Sequence, residues 1–333
     1  MNNGVKIVLT ASEVEMSDFN LNPFIAFSAG FPLKIVPLRW LREKLYPPPP
    51  FNDDGTAKFA PYGLRKVEAV LIREFGRENV VTVHPRKLQD FIGPNTKVVC
   101  ISTMDPLGVA FVSRTYTSLL KLTGKPLTRI EFEKLLSHPA IRKYKPKIVV
   151  GGAGAWQIKT TRLQEELGID LLLLGQAERE IASIMRKLLN GEKLPKLIEM
   201  EPPDPEEIPC IENPSLYGTV EVTRGCGRGC QFCSPTLRRR ISFPLDHVLK
   251  EVELNARSGS RMILIQTDDI FLYKCSRDFR PNREALTTLL NSIAKVEGVE
   301  FIQIAHAALA PVVCDKKLIE EIAPILVDKA IWR

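Results

Sequence analysis

The sequence predicts two α/β units in tandem, a doubly wound parallel sheet followed by a partial, incomplete βα barrel. Short apolar runs recur between helical stripes in both halves, as in parallel strands buried on two faces. A connector dense in proline and acidic residues, Glu199–Asn213, parts the halves. The length, 333 residues, suits two domains that each bury a core.

In the first half, Val5–Leu9, Val80–Val83, Val98–Ser102, Ile148–Val150 and Leu171–Leu174 read as strands. Leu64, Val67, Leu71 and Phe75 make one helical stripe. Ile181, Ile184, Met185, Leu188 and Leu189 make another, closed by Gly191. The stretch from about Ala11 to Ala60, with Pro47–Pro50, interrupts this alternation and reads as a partly irregular insertion. The first domain is set at 1–195, the linker at 196–217 and the second domain at 218–333. There Thr219–Thr223 is a strand, a helix runs from Pro244 to Arg257, and Met262–Gln266 is the next strand. Leu286, Leu289, Leu290 and Ile293 mark a helix before Val299–Ala305, which delivers His306. In a right-handed βα array the loops after these strands share one C-terminal mouth.

One of those loops carries the chemistry. Cys226, Cys230 and Cys233 follow the first strand of the second half with spacing Cys-x3-Cys-x2-Cys, interleaved with Gly225, Gly227 and Gly229. On a straight helix the outer two would stand roughly 10 Å apart along the axis, too extended for one compact cluster. The glycines oppose a helix and accept positive φ, so the loop can curl its thiolates inward. Three thiolates on a four-iron cluster leave one iron open for chemistry, whereas electron carriers normally use four. The alternative is a zinc site with His247 or Cys210 as fourth ligand, although structural zinc sites usually show two short-spaced pairs.

The run Glu221–Pro235 resembles the signature of the radical S-adenosylmethionine (radical SAM) enzymes. The resemblance implies a [4Fe–4S] cluster on Cys226, Cys230 and Cys233, with S-adenosylmethionine chelating the fourth iron. It implies reductive cleavage of that molecule to a 5′-deoxyadenosyl radical, Phe232 beside the adenine, and an electron donor such as a ferredoxin or flavodoxin. Thr267, Asp268 and Asp269 stand where such proteins place polar contacts to the methionyl amino group, in place of the usual Gly-Gly-Glu-like sequence. A carboxylate suits a bound ammonium, and it equally suits a helix N-cap.

The first half resembles the cobalamin-binding domain preceding many radical SAM cores. Ser102 and Thr103, Gly151 and Gly152, and Gly175 in Gly175-Gln-Ala-Glu178 carry that likeness, and a ligand-free flavodoxin-like sheet is the alternative. The Asp-x-His-x-x-Gly motif that supplies a lower cobalt ligand is absent, since the first histidine is His84. The segments around Ala60–Lys66, Ile101–Gly108 and Val149–Gln157 are similar to an uncharacterised archaeal-type group of such proteins.

A full radical SAM barrel has about six βα units. This chain has room for three, with a fourth strand starting near Val327 and no terminal helix over the open edge. That pattern reads as a truncated or split member needing a second chain, which alone binds its cluster poorly or turns over little. The expected function is cleavage of S-adenosylmethionine to start radical chemistry, extending to cobalamin-dependent methyl transfer. A non-catalytic cobalamin or iron–sulfur module is the alternative. Methylthiolation of RNA or protein ranks last, because no second cysteine triplet is present.

Seven cysteines, an odd number with three clustered, argue against a disulfide framework. Cys100 and Cys314 read as packing residues, and Cys275 as a residue of the loop after Asp269, able to approach the mouth but left out of the site. No run approaches the roughly 18 apolar residues of a membrane span, and the N-terminus lacks a signal-peptide pattern. A cytoplasmic protein is expected. The net charge of +7 looks scattered apart from Arg238-Arg239-Arg240. That run reads as a solvated turn or a pocket for anionic groups, so no nucleic-acid partner is expected.

Overall fold

The computed structural model describes residues 3–32, 38–231, 233 and 239–330. It forms two compact units, Met1–Glu212 and Asn213–Arg333.

In the first unit β1 (Ile7–Ala11) leads through an insertion holding α1 (Leu38–Lys44) to α2 (Tyr62–Phe75) and β2 (Val80–Thr82). Then follow α3 (Leu88–Phe91), β3 (Val98–Ser102), α4 (Phe111–Arg114), α5 (Leu127–Leu136), α6 (Pro139–Tyr144) and β4 (Lys147–Gly151). The unit ends with α7 (Ala155–Thr161), β5 (Leu171–Leu174), α8 (Ile181–Leu189) and β6 (Leu197–Glu199). Among the described residues six strands form one sheet, ordered β2-β1-β3-β4-β5-β6, with every neighbour parallel.

Strand alternation builds two cores. Ile7, Leu9, Val98, Cys100, Val149, Leu171 and Leu173 face α2 and α8. Val8, Val99, Ile101, Ile148, Val150 and Leu172 face the helices of the other side. Strand order reverses between β1 and β3, which makes their C-terminal ends the switch point where such sheets take ligands.

The sheet corrects two expectations. β1 begins at Ile7 rather than Val5 and runs on to Ala11. Leu197–Glu199, assigned to the linker, is a sixth strand paired with β5; it is a short edge strand whose half-exposed residues give no apolar run.

The insertion packs its own small core of Val14, Phe19, Ala29, Leu41, Tyr46 and Leu127. Partly exposed cations on buried carboxylates dock it: Arg42 lies 2.6 Å from Glu131, and Glu13 pairs with Arg86 at 2.8 Å and Lys134 at 2.5 Å. The Ala60–Lys66 motif acts at its far end. Arg65, 1% exposed, reaches both Glu68 oxygens at 2.8 Å and donates to the carbonyls of Ala57 and Lys58. Lys66 donates to the carbonyl of Pro209.

In the second unit β7 (Val220–Glu221) and β8 (Thr223–Arg224) precede the cysteine loop, and β9 (Ile241–Ser242) closes it by pairing antiparallel with β8. α9 (Leu245–Arg257), β10 (Met262–Gln266), α10 (Arg283–Ala294) and β11 (Phe301–Ile304) follow. The described parallel sheet runs β11-β10-β7.

The strand expected near Val327, and the absence of a terminal helix, are both overturned. After α11 (Leu309–Cys314), residues Lys316–Asp328 form α12. Leu318 and Ile322, spaced four apart, are buried. The Ile302 N–H donates to the carbonyl of Lys329 at 3.0 Å, tying the end of α12 to β11. Among the described residues no helix is long and apolar enough to cross a membrane.

Candidate functional site

The cysteine loop curls because its glycines let it. Gly225, Gly227 and Gly229 have φ of 74°, 77° and 77°, a left-handed region costly for residues with a Cβ. Cys226 is buried, and Cys230 and Cys233 are half-buried. The Cys233 N–H donates to the Cys230 carbonyl at 3.2 Å, turning the chain between the last two cysteines.

The segment after β10 holds this loop. The Gly225 N–H donates to Asp268 Oδ2 at 2.7 Å, and Arg228 Nη2 donates to Asp269 Oδ2 at 2.5 Å. Thr267 and Thr223 share a hydroxyl hydrogen bond of 2.5 Å. Asp269, fully buried, also accepts from the N–H groups of Phe271 and Ala308 through Oδ1. It is the N-cap of the 3₁₀ turn Ile270–Leu272 as well as the partner of Arg228. The cap expectation therefore holds for Asp269. Asp268, half-buried after β10, is the carboxylate that accepts from the cysteine loop.

Burial works against the charge of Arg228, but its hydrogen bond to Asp269 and attraction to Asp269, Cys226 and Cys275 outweigh it and raise its pKa. A guanidinium thus stands within electrostatic reach of Cys226 and Cys275. Cys275 lies in the loop after Asp269. Burial pushes its thiol up, while nearby Arg240 and Arg228 pull it down, so it lies in their electrostatic reach. Cys100 is a packing residue: burial pushes its thiol up to about 12, and its sulfur lies 3.9 Å from Met185. His306 is exposed, and its carbonyl accepts from the Ile270 N–H. Phe232 lies outside the described residues.

In the first unit Ser102, Thr103, Gly151, Gly152 and Gly175 sit at or just past the ends of the adjacent strands β3, β4 and β5. The glycines are closed by protein. A Cβ on Gly152 would meet the Thr103 carbonyl oxygen at 2.6 Å, and one on Gly175 the Met200 carbonyl oxygen at 2.8 Å. Thr103 donates to the Gly151 carbonyl through both its N–H and its hydroxyl, each at 2.9 Å. These residues build a loop platform; beside it Met104 and Trp156 are exposed, 71% and 48%. A cavity of about 680 Å³ lies at its β5–β6 end, lined by Trp156, Lys159, Arg162, Gly175, Glu199 and Met200 among others.

Sequence reasoning missed Glu15. It follows β1 at the switch point, in the loop where a lower cobalt ligand would stand, and accepts the Met104 N–H at 2.7 Å. Burial pushes its carboxyl up to about 7 against that hydrogen bond. An acidic residue just past a strand end was the available signal.

No family model matches the chain. The tRNA-2-methylthio-N(6)-dimethylallyladenosine synthase of Thermotoga petrophila is 29% identical over 162 residues, 48% of this chain and 36% of that protein. The ribosomal protein uS12 methylthiotransferase RimO of Moorella thermoacetica is 28% identical over 172 residues, 49% of this chain and 37% of its own length. The aligned region thus spans about a third of these curated relatives. Among solved structures, the radical S-adenosylmethionine methyltransferase TsrM of Kitasatospora setae, with cobalamin and a [4Fe-4S] cluster bound, matches 87% of this chain and 52% of its own. The TM-score is 0.53 at 16% identity, so that likeness is one of fold. The chain is thus similar in sequence to methylthiotransferases and in fold to a radical S-adenosylmethionine methyltransferase.

Proposed function

We propose that this chain is a radical SAM iron–sulfur enzyme, with Cys226, Cys230 and Cys233 as ligands of a [4Fe–4S] cluster. The observation that carries the reading is the glycine-curled loop of three cysteines, pinned by Asp268 at the C-terminal end of parallel strands. When bound, such a cluster supplies the electron that splits S-adenosylmethionine into methionine and a 5′-deoxyadenosyl radical. The chain's own part is to hold and orient. Gly225, Gly227 and Gly229 set the curl, Arg228 offsets thiolate charge, and Asp268 accepts hydrogen bonds from the methionyl ammonium while fixing the loop through Gly225. Asp269 positions Arg228.

The first unit fits cobalamin as a platform rather than a glycine cradle. The ends of β3, β4 and β5 carry Ser102, Thr103, Gly151, Gly152 and Gly175 as floor, with exposed Met104 and Trp156 beside it as apolar contacts. Cobalamin bound there would supply a transferable methyl group, and no histidine of the switch-point loop stands below it. Methylthiolation, for which the relatives are named, is the second reading, favoured by the alignments alone.

Anaerobic reconstitution tests the first reading. Near four irons and four sulfides per chain are expected, together with 5′-deoxyadenosine formed from S-adenosylmethionine under dithionite. Stoichiometric zinc with no iron uptake would sink it. Absorbance of protein purified with hydroxocobalamin tests the platform separately.

A further inference from the structure

The mouth of the second unit is rich in arginine. The described residues of 225–242 and 270–282 include six basic residues and one acidic, with Asp268 and Asp269 bordering them. Five of the six cations are arginines. The fold brings the two segments together. Arg240 Nη2 donates to the Ser276 carbonyl at 3.0 Å, and the Lys274 N–H donates to Ser242 Oγ at 2.9 Å. Phe279, with φ of 64°, has the guanidinium of Arg240 4.9 Å from its ring centroid and that of Arg228 at 5.9 Å. Lys274, Arg277 and Arg280 are exposed around this stack. Asp278, the acidic residue, is paired with Arg280 at 2.9 Å. Arg240 Nη1 is a buried donor without a hydrogen-bond partner.

We infer that this face docks a single-stranded stretch of nucleic acid, presenting it to the cysteine-loop mouth. The inference rests on the radical SAM reading of that mouth and names its substrate class. Arginine forks match phosphate oxygens bidentately, which lysine does not. Guanidinium planes and an aromatic ring are surfaces on which unpaired bases stack. A protein partner would be met by a centre depleted of charge, whereas here the guanidinium groups of Arg228 and Arg240 flank the Phe279 ring. Arg228 belongs to the cysteine loop, but Arg277 and Arg280 reach solvent and serve no contact within that loop, so cluster neutralisation does not account for them.

The test uses the full chain, metal-free and reconstituted, with a fluorescein-labelled 20-nucleotide single-stranded RNA read by anisotropy. With about four phosphates contacted, affinity should fall roughly 50-fold between 50 and 200 mM salt. The double variant R277E/R280E should weaken binding at least tenfold at 50 mM and flatten the salt slope by about 1 to 1.5, with iron loading unchanged. R277Q/R280Q should show a smaller loss and serves if charge reversal impairs folding. Absence of salt-dependent RNA binding, or binding indifferent to these changes, overturns the inference. So does capture of an acidic ferredoxin through the same arginines without RNA binding, which assigns the face to a protein. RNA binding by metal-free protein that never takes up iron would sink the cluster reading and leave the nucleic-acid face standing.

Discussion

Glycines mark the strand ends of both units, yet they do opposite things. In the first unit Gly152 and Gly154 exist to let loops touch: a Cβ on Gly152 would strike the Thr103 carbonyl oxygen, and one on Gly154 the Met104 carbonyl oxygen at 2.4 Å. In the second, Gly227 and Gly229 have nothing among the described residues within 4 Å of where a Cβ would stand, and their φ demands glycine. A glycine after a strand therefore signals packing in one place and an open, curled donor loop in the other. The sequence shows the residue without showing which reason applies.

The comparison breaks most sharply at the open loop. Replacing Cys230 by serine should abolish iron retention after reconstitution and, with it, 5′-deoxyadenosine formation, while leaving the first unit's melt unchanged. Iron content and product chromatography read the first outcome, and Trp40 and Trp156 fluorescence the second. Full cluster loading of Cys230→Ser would remove that cysteine from the ligand set.

The next effect belongs to the closed unit. Arg65→Ala removes a buried guanidinium, leaving Glu68 and the carbonyls of Ala57 and Lys58 without its donors. Breaking one side of such a pair costs about 3–5 kcal/mol, which a urea melt followed by tryptophan fluorescence would register.

Paired glycine variants test the contrast itself. Gly152→Ala combines φ of 94° with a contact of 2.6 Å to backbone and should cost about 3 kcal/mol. Gly227→Ala meets only the backbone penalty of φ 77°, about 1 kcal/mol. Equal losses in urea melts would mean that the open and closed descriptions do not differ in energy.

The same contrast shows what was legible in the sequence. The buried strands read clearly because burial on both faces leaves uninterrupted apolar runs, as in Leu171–Leu174 and Met262–Gln266. Leu197–Glu199 did not, since an edge strand of three residues is half exposed and follows no such pattern. Lys316–Asp328 was misread because Pro324 interrupts the apparent helix and Val327 suggests a strand, while Leu318 and Ile322 decide otherwise by packing. The three cysteines announced themselves by spacing. Their support did not: Asp269 is tied to Arg228 and Ala308, respectively 41 and 39 residues away, a relation no local pattern carries. The basic face escaped because the whole-chain charge hides two dense segments that only the fold unites.

The smallest effect is a pH dependence at the switch point. Burial raises the folded pKa of Glu15 to about 7 from an ordinary 4.5, against hydrogen bonds from Met104, Asp105 and Ser12 that oppose it. Between those two values the folded chain holds a proton that the unfolded chain has released. Stability must then fall as pH rises from 4.5 and level off above about 7. Glu15→Gln keeps an acceptor for the Met104 N–H and cannot ionise, so the variant should lose this slope. Relative to the parent it should gain stability between pH 5 and 8, on the order of 1–2 kcal/mol once partial solvent access is allowed for. Thermal melts of both proteins at half-unit pH steps would show the curves diverging toward alkaline pH. Parallel curves would mean that Glu15 is ionised in the fold, and the loop after β1 would then present a fixed negative charge beneath any ligand on the platform.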